Sequence, residues 1–292
     1  MQSQAVRYLV LYPQAASRLV RLPNLFIMAV TQFCVAVFLI GPKEEWLSYY
    51  LDLRLHLLIV STVLIAAAGY VINDYYDVKI DIINKPHRLI VGRTLPRRHA
   101  MFVHLILNMA GLGISFMLGL EVAAIHFCAI ILLWWYSNFL KRLPLTGNLI
   151  VAFLTGLTVF MVGYIYRVPY SHLILAYSSL AFLLSLIREI IKDIEDVKGD
   201  RNFGCDTLPI RYGIRSTKKV VYLVELLLLG AMIFTGSRYN PLLLAIYGIF
   251  VVCPLILFTV MLVRADTRKD FKFLSLLAKL IMIGGVASMI FT

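Results

Sequence analysis

Two short segments of the 292-residue chain hold eight of its sixteen acidic residues. The first is Asn73-Asp74-Tyr75-Tyr76-Asp77-Val78-Lys79-Ile80-Asp81, and the second is Arg188-Glu189-Ile190-Ile191-Lys192-Asp193-Ile194-Glu195-Asp196-Val197-Lys198-Gly199-Asp200. Residues three, four and seven positions apart lie on the same face of an α-helix. The spacing therefore predicts one helical face with Asn73, Asp77 and Asp81, and a second with Asp193, Asp196 and Asp200.

Carboxylates clustered at the end of an apolar helix have a definite chemical use. Like charges packed together repel one another, and burying them costs free energy unless cations compensate. Ligand sets made only of oxygen suit Mg²⁺, which keeps several waters and commonly links one or two carboxylates to the phosphates of a substrate. Two such faces, if opposed, would form a cavity for a magnesium-bound phosphate group.

Basic residues are interleaved with these acids. They are Lys79, Lys85, Arg88 and Arg93 around the first segment, Arg188, Lys192, Lys198 and Arg201 around the second, and Lys141 and Arg142 between them. A metal ion combined with Lys and Arg side chains is a typical environment for a diphosphate. The same bases also have a simpler interpretation as signals of membrane topology.

The composition excludes an ordinary soluble domain. The chain is 61% hydrophobic and only 15% charged, with a mean hydropathy of +0.84, whereas soluble domains are about half apolar and a quarter charged. Runs of about 20 apolar residues predict membrane-spanning helices. Such runs lie near 22–41, 55–73, 100–119, 121–139, 147–166, 170–191, 219–236, 241–263 and 272–291. We therefore expect an all-α integral membrane protein, a bundle of about nine helices forming a single domain over residues 1–292.

The distribution of basic residues predicts the orientation. With nine spans, 23 of the 28 basic residues fall on one side, four fall on the other, and Lys279 lies within the last span. The positive-inside rule makes the basic side cytoplasmic, so we expect the N-terminus and both aspartate segments there, in a multi-pass protein of the cytoplasmic membrane. No removable signal peptide is expected. The net charge of +12 is attributed to topology and anionic lipid rather than to nucleic acid.

An aspartate-rich metal site beside an apolar bundle indicates an isoprenoid diphosphate as substrate. The metal would neutralise charge as the C–O bond breaks, and an allylic cation at C1 would need protection from water, which the bundle can provide. An ion-coupled transporter is a less favoured alternative, because its acidic residues should lie near the membrane midplane. Here only Glu225 and Lys279 lie well within the predicted spans.

The motifs resemble those of the UbiA superfamily of intramembrane prenyltransferases. The resemblance lies in NDxxDxxxD at 73–81 followed by Asn84-Lys85-Pro86 and Arg88, DxxDxxxD at 193–200 followed by Gly204, Thr207, Leu208 and Gly213, the run 136–142, Gly147-Asn148, and Arg21-Leu22-Pro23-Asn24. It covers nearly the whole chain in the right order. The run 188–196 is most similar to digeranylgeranylglyceryl phosphate synthase-type members. Leu89 is a departure, because the family commonly has proline there.

The resemblance implies nine helices around a central cavity with a lateral opening, a prenyl diphosphate donor, a lipid-soluble acceptor and two Mg²⁺ ions. It implies metal ligation by Asn73, Asp77, Asp81, Asp193, Asp196 and Asp200, of which Asp77, Asp196 and Asp200 are the candidate catalytic residues. Candidate substrate-binding residues are Arg21, Lys141 and Lys198 for the diphosphate, and Arg88, Arg93 and Lys192 for a phosphate on the acceptor. The expected reaction joins a geranylgeranyl group to the hydroxyl of a prenylated glycerol phosphate. Prenylation of an aromatic acceptor remains the alternative, since both reactions share the donor site.

Overall fold

The computed structural model describes residues 13–84, 89–168, 171–239 and 241–292. Within these ranges, nine helices are long and apolar enough to cross a membrane. We label them α1 (Leu22–Ile40), α2 (Leu53–Asn84), α3 (Arg97–Leu118), α4 (Leu120–Asn138), α5 (Thr146–Ile165), α6 (His172–Asn202), α7 (Gly213–Arg238), α8 (Leu244–Arg264) and α9 (Arg268–Phe291). The protein is an all-α integral membrane protein, and the nine predicted spans are confirmed.

Two of these helices are longer than a membrane requires. Helix α2 has 32 residues and α6 has 31, whereas about 20 residues cross the hydrocarbon core. At 1.5 Å per residue each is more than 45 Å long. The aspartate segments form the last turns of these two helices, so each motif continues from an apolar span without a break, as the sequence predicts.

Short helices and turns complete the described chain. Helical segments outside the spans are Pro13–Leu19, Lys43–Glu45, Trp46–Leu51, Leu140–Arg142 and Leu208–Arg211. Helix α1 ends in a π-helical turn at Ala36–Ile40, and α8 contains another at Gly248–Val252. Many large apolar side chains remain exposed, among them Phe26, Met109, Leu226 and Phe234. In a membrane protein such side chains face lipid, which is as apolar as they are.

The chain divides into two compact units. The first contains the described residues of 13–30, 56–140 and 198–204. Its α3–α4 hairpin turns at Gly119, whose φ of 129° favours glycine. Ser115 and His126 hydrogen-bond across the hairpin at 2.6 Å. His104 Nδ1 lies 3.0 Å from the carbonyl oxygen of Ala68, joining α3 to α2.

The second unit contains the described residues of 31–55, 141–197 and 205–292. Helices α5 and α6 pack closely at Gly156, where an added Cβ would lie 2.8 Å from the backbone oxygen of Ser178. The loop after α5 is held by Tyr166, whose hydroxyl donates to Asp52 Oδ2 at 2.6 Å. Burial, and then this hydrogen bond to Asp52, raise the pKa of Tyr166 above its ordinary value.

The Gly156 contact gives a prediction about stability. Alanine favours a helix over glycine by up to about 1 kcal/mol, yet at position 156 its methyl group would meet the backbone of α6. Overpacking of this kind costs about 1–3 kcal/mol. We expect Gly156→Ala to lower the unfolding temperature of the detergent-purified protein.

The matched control is Gly230→Ala on α7, where a Cβ would meet nothing within 4 Å. That substitution should leave the unfolding temperature unchanged or raise it slightly. Equal unfolding temperatures for the two variants would contradict the close packing of α5 on α6.

Candidate functional site

The first aspartate motif forms an ion pair with Arg21, the residue that precedes α1. Arg21 Nη2 donates to Asp74 Oδ1 at 3.0 Å, and the guanidinium lies 4.7 Å from the centre of the Tyr70 ring. Partial burial lowers the pKa of Arg21, but the Asp74 carboxylate, with Tyr70 and Tyr136 nearby, outweighs this effect and raises that pKa. Arg21 has a φ of 52°, a strained backbone conformation for a residue with a side chain. The local fold therefore fixes this cation beside the motif.

Asn73 and Asp77 lie on the same face of α2, four residues apart. Asn73 Nδ2 donates to Asp77 Oδ2 at 2.8 Å. Both side chains are half-buried, as is Asp81 one turn later. The hydrogen bond orients the Asp77 carboxylate and places an amide beside it. Asn73 and Asp77 therefore share a helical face, as their spacing predicts.

The end of α2 meets the end of α6 at Asn84 and Gly199, both in the first unit. Gly199 N donates to Asn84 Oδ1 at 3.0 Å. A Cβ on Gly199 would collide with the whole Asn84 amide, so only glycine permits this approach. Asp81 lies one turn before Asn84, and Asp200 directly follows Gly199. The contact therefore places the ends of the two motif helices against each other, which spacing along the chain does not reveal.

The second motif has partners on α5 and α9. Asn148 Nδ2 donates to Asp193 Oδ2 at 2.9 Å, and Asn148 is buried. Arg268 Nη2 lies 3.8 Å from Asp196 Oδ1. In the sequence, Asn148 stands out only through the resemblance, and Arg268 is one of the 23 basic residues that predict the orientation. A positive charge on α9 next to Asp196 was missed.

Glu189, one turn before Asp193, forms ion pairs with two basic side chains. Arg188 Nη1 and Lys192 Nζ each donate to Glu189 at 2.6 Å, one to each carboxylate oxygen. The Glu189 side chain is only 7% exposed, and the two basic side chains are about one-quarter exposed. Lys192 was predicted to bind substrate, and the structure places it in this ion-paired arrangement.

The other basic residues predicted to bind substrate differ in their exposure to solvent. Lys141 is half-buried in the turn Leu140–Arg142, and Arg142 O accepts a hydrogen bond from Asp206 N at 2.8 Å. Lys198 and Arg93 are exposed. Arg88 lies outside the described residues. Roles in diphosphate binding for Lys141 and Lys198 stay predictions.

The side chains of the two motifs offer oxygen atoms that could serve as ligands of Mg²⁺. Among the described residues, no three Asp, Glu, His or Cys side chains converge as a metal cage would require. Instead, carboxylates occur with amides, as in Asn73 with Asp77 and Asn148 with Asp193. Mg²⁺ needs only one or two carboxylates when water and substrate phosphates complete its shell. The residues therefore fit ions that bind together with a diphosphate better than a permanent all-protein metal site.

The UbiA prenyltransferase family matches residues 29–281 of the chain, which includes both motifs and all the amide–carboxylate pairs. The chain belongs to the UbiA prenyltransferase family.

Curated relatives of this UbiA chain include digeranylgeranylglyceryl phosphate synthases. That of Methanosphaera stadtmanae is 39% identical over 190 residues, covering 65% of this chain and 66% of the relative. That of Sulfolobus acidocaldarius is 38% identical over 182 residues, covering 62% and 64%. The matched part thus spans about two thirds of the length of these relatives.

Solved structures of similar fold include UbiA proteins. A digeranylgeranylglyceryl phosphate synthase structure has a TM-score of 0.67 and 24% identity, over 95% of this chain and 97% of that one. A UbiA homologue from Archaeoglobus fulgidus bound to GPP and Mg²⁺ has a TM-score of 0.66 and 14% identity, over 94% and 99%. These likenesses show that the chain has the UbiA fold.

The Asn84–Gly199 contact can be tested by a double-mutant cycle. Gly199→Ala should push the Asn84 amide away and lose its hydrogen bond, at a cost of about 1–3 kcal/mol. Asn84→Ala removes the obstructing amide, so the double variant should be more stable than the two single losses predict when added. The measurement is the free energy of unfolding of all four proteins in detergent.

The control is Gly113→Ala on α3, where a Cβ would meet nothing within 4 Å. Residues in contact usually show coupling of about 0.5–3 kcal/mol. Additive effects of the two substitutions, or an equal loss in Gly113→Ala, would be incompatible with the contact.

Proposed function

We propose that this protein transfers a geranylgeranyl group from its diphosphate to the hydroxyl of a prenylated glycerol phosphate, with Mg²⁺, to form an ether lipid. The observation that carries the proposal is the set of amide–carboxylate pairs on the two motifs, Asn73 with Asp77 and Asn148 with Asp193. The names of the relatives, digeranylgeranylglyceryl phosphate synthase, support this class of acceptor.

The donor is proposed to bind through both motifs. Candidate ligands for two Mg²⁺ ions are Asn73, Asp77, Asp81, Asp193, Asp196 and Asp200. Mg²⁺, when bound, would withdraw negative charge from the diphosphate as it leaves. The presence of GPP and Mg²⁺ in the Archaeoglobus fulgidus homologue supports this use of the fold. Arg21, Lys141 and Lys198 are proposed to contact the diphosphate directly.

The reaction breaks one bond and forms one. The C1–O bond of the prenyl diphosphate breaks, diphosphate leaves with the bonding electrons, and the acceptor oxygen forms a new bond to C1. The acceptor hydroxyl releases its proton in the same process. Asp77, Asp196 and Asp200 are proposed as the residues closest to this chemistry. The apolar spans would exclude water, which would otherwise capture the allylic cation.

The reaction is proposed to take place at the cytoplasmic side of the membrane. The ends of α2 and α6 that carry the motifs also carry most of the neighbouring basic residues, and such segments remain in the cytoplasm. The described residues form two compact units, and we propose that residues 1–292 act as one functional domain. Arg88, Arg93 and Lys192 are the bases proposed to receive a phosphate on the acceptor.

The acceptor is tested by assaying the purified protein with Mg²⁺ and radiolabelled geranylgeranyl diphosphate. We expect product with geranylgeranylglyceryl phosphate and none with hydroxybenzoate or naphthoate acceptors. Chelation of Mg²⁺ should abolish product formation, and adding Mg²⁺ back should restore it. Product with an aromatic acceptor alone would overturn the ether-lipid proposal while leaving the donor chemistry intact.

The metal-binding roles are tested by Asp77→Asn and Asp196→Asn, which keep the shape of each side chain but remove its charge. Several kcal/mol of transition-state stabilisation depend on the metal, so turnover should fall by at least about 100-fold. Unfolding temperatures should change little, since neither substitution alters packing.

Asp266→Asn is the control, because its side chain is 91% exposed. It should retain full activity. Activity close to that of the wild type in Asp77→Asn or Asp196→Asn would remove that residue from the proposed metal site.

A further inference from the structure

The α3–α4 hairpin of the first unit has a face that meets lipid along the whole of α3. Phe102, Leu105, Met109 and Phe116 are all exposed, and their spacing of three, four and seven residues places them on one side of the helix. Such side chains face lipid in a membrane protein. Arg98 is also exposed and precedes Phe102 by four residues, so the same face ends in a positive charge.

The neighbouring base, Arg97, lies on a different side of α3. Its Nη2 donates to Tyr75 O at 3.2 Å, and its guanidinium lies 4.3 Å from the centre of the Tyr75 ring. Arg97 therefore contacts α2, the helix that carries the carboxylates of the first motif. Successive residues are about 100° apart around a helix axis, so Arg98 is turned away from this contact. Within the hairpin itself, residues 97–140, the only carboxylate is Glu121, beside the turn at the opposite end.

The end of α4 contains a recess of about 360 Å³. We call it the aromatic recess, and it is lined by Trp134, Trp135, Asn138, Phe139 and Leu140. Its three aromatic side chains are exposed. The volume falls within the range of about 300–1,000 Å³ that is usual for small-molecule sites, so part of a lipid molecule can occupy it.

The aromatic recess and Arg98 lie at neighbouring levels of the hairpin. Trp135 follows the turn residue Gly119 by 16 positions, and Phe102 precedes it by 17, so these two side chains lie at about the same depth in an antiparallel pair. Arg98 is one turn further from the membrane centre, about 6 Å at 1.5 Å per residue. Because α3 and α4 are both spans, their ends lie where hydrocarbon gives way to lipid head groups, and tryptophan is favoured there.

An aromatic belt accounts for the tryptophans but not for the rest of this arrangement. Belts occur at both membrane surfaces and need neither a recess nor a base one turn above it. The guanidinium of Arg98 has five N–H donors in a planar fork that matches the geometry of a phosphate. A phospholipid carries its phosphate directly outside its apolar chains. A phosphate at Arg98 would therefore place those chains in the aromatic recess and over Phe102.

We propose that the α3–α4 hairpin binds an anionic phospholipid of the surrounding membrane, with its phosphate at Arg98 and its chains in the aromatic recess. Charge complementarity selects the class of lipid, because the head group of an anionic lipid contains no cation that would compete with Arg98 for the phosphate. None of these residues belongs to the proposed prenyl-transfer site, so this lipid site goes beyond the proposed function.

The aromatic recess contains two of the three tryptophans of the chain, so quenching of tryptophan fluorescence by brominated lipid reports occupancy. The experiment titrates the detergent-purified Trp46→Phe protein, in which only Trp134 and Trp135 remain, with brominated phosphatidylglycerol or brominated phosphatidylcholine. One basic side chain near the membrane surface favours an anionic lipid by about fivefold. We expect half-maximal quenching at an about fivefold lower mole fraction of phosphatidylglycerol, and no such difference in Arg98→Gln.

The matched control is Arg264→Gln. Arg264 is an exposed base at the end of α8, which contains no tryptophan, so this variant should keep the preference for phosphatidylglycerol. Equal quenching by both lipids in the protein that retains Arg98 would show only a non-selective aromatic belt. An unchanged preference in Arg98→Gln would remove Arg98 from the site. Either result overturns the inference.

A second measurement uses the unaltered full chain. Native mass spectrometry after incubation with equal amounts of the two lipids should show more phosphatidylglycerol than phosphatidylcholine retained, and Arg98→Gln should lose this enrichment. Retention of equal amounts by the unaltered chain would contradict the inference.

The source of the bound lipid is tested by competition. Geranylgeranylglyceryl phosphate should displace brominated phosphatidylglycerol no better than unbrominated phosphatidylglycerol does. Displacement at a clearly lower concentration would assign the site to a substrate rather than to a membrane lipid, and would overturn the inference.

Discussion

Charge within an apolar medium must be neutralised locally, and this constraint governs the arrangement of the polar residues in the described chain. The Asp74 carboxylate has Arg21 at 3.0 Å, and Glu189 holds two cations at 2.6 Å each. Asp193 and Asp77 instead accept hydrogen bonds from the neutral amides of Asn148 and Asn73, which orient the carboxylates without neutralising them. Because these groups are partly buried at the ends of membrane-spanning helices, protein partners replace much of the water that would otherwise solvate them.

The sequence predicts the parts of the structure that this constraint determines locally. Lipid requires long apolar helices, so hydropathy alone locates the spans, including the short α3–α4 connection at Gly119. The four-residue spacing of Asn73 and Asp77 predicts a shared helical face, and the hydrogen bond between them agrees. The extension of α2 to Asn84 and of α6 to Asn202 follows from motifs that continue each span without a proline, and α6 continues through Gly199.

The parts that the sequence does not predict depend on packing between distant helices. In the sequence, nothing distinguishes Gly199 from any other glycine of a motif. In the structure, Asn84, 115 positions earlier, occupies the space that a side chain at position 199 would need. In the sequence, Arg268 is one of several basic residues at the start of α9, and Lys279 is a single lysine within a span. A topology signal needs no particular helical face, so the sequence does not show which helix either residue contacts. Only the packing of α9 against α6 places Arg268 Nη2 at 3.8 Å from Asp196 Oδ1.

Acidic and basic side chains occupy different positions along α6. Asp193, Asp196 and Asp200 occupy its final turns, where their negative charge suits metal ions and therefore the shared prenyl diphosphate chemistry. Arg188 lies five residues before Asp193 and Lys192 directly before it, and both basic side chains are paired with Glu189. Because both candidate acceptors would share the prenyl diphosphate, these aspartates bear on the donor step, whereas the ion-paired group of Arg188, Glu189 and Lys192 marks the change from acidic to basic side chains along α6.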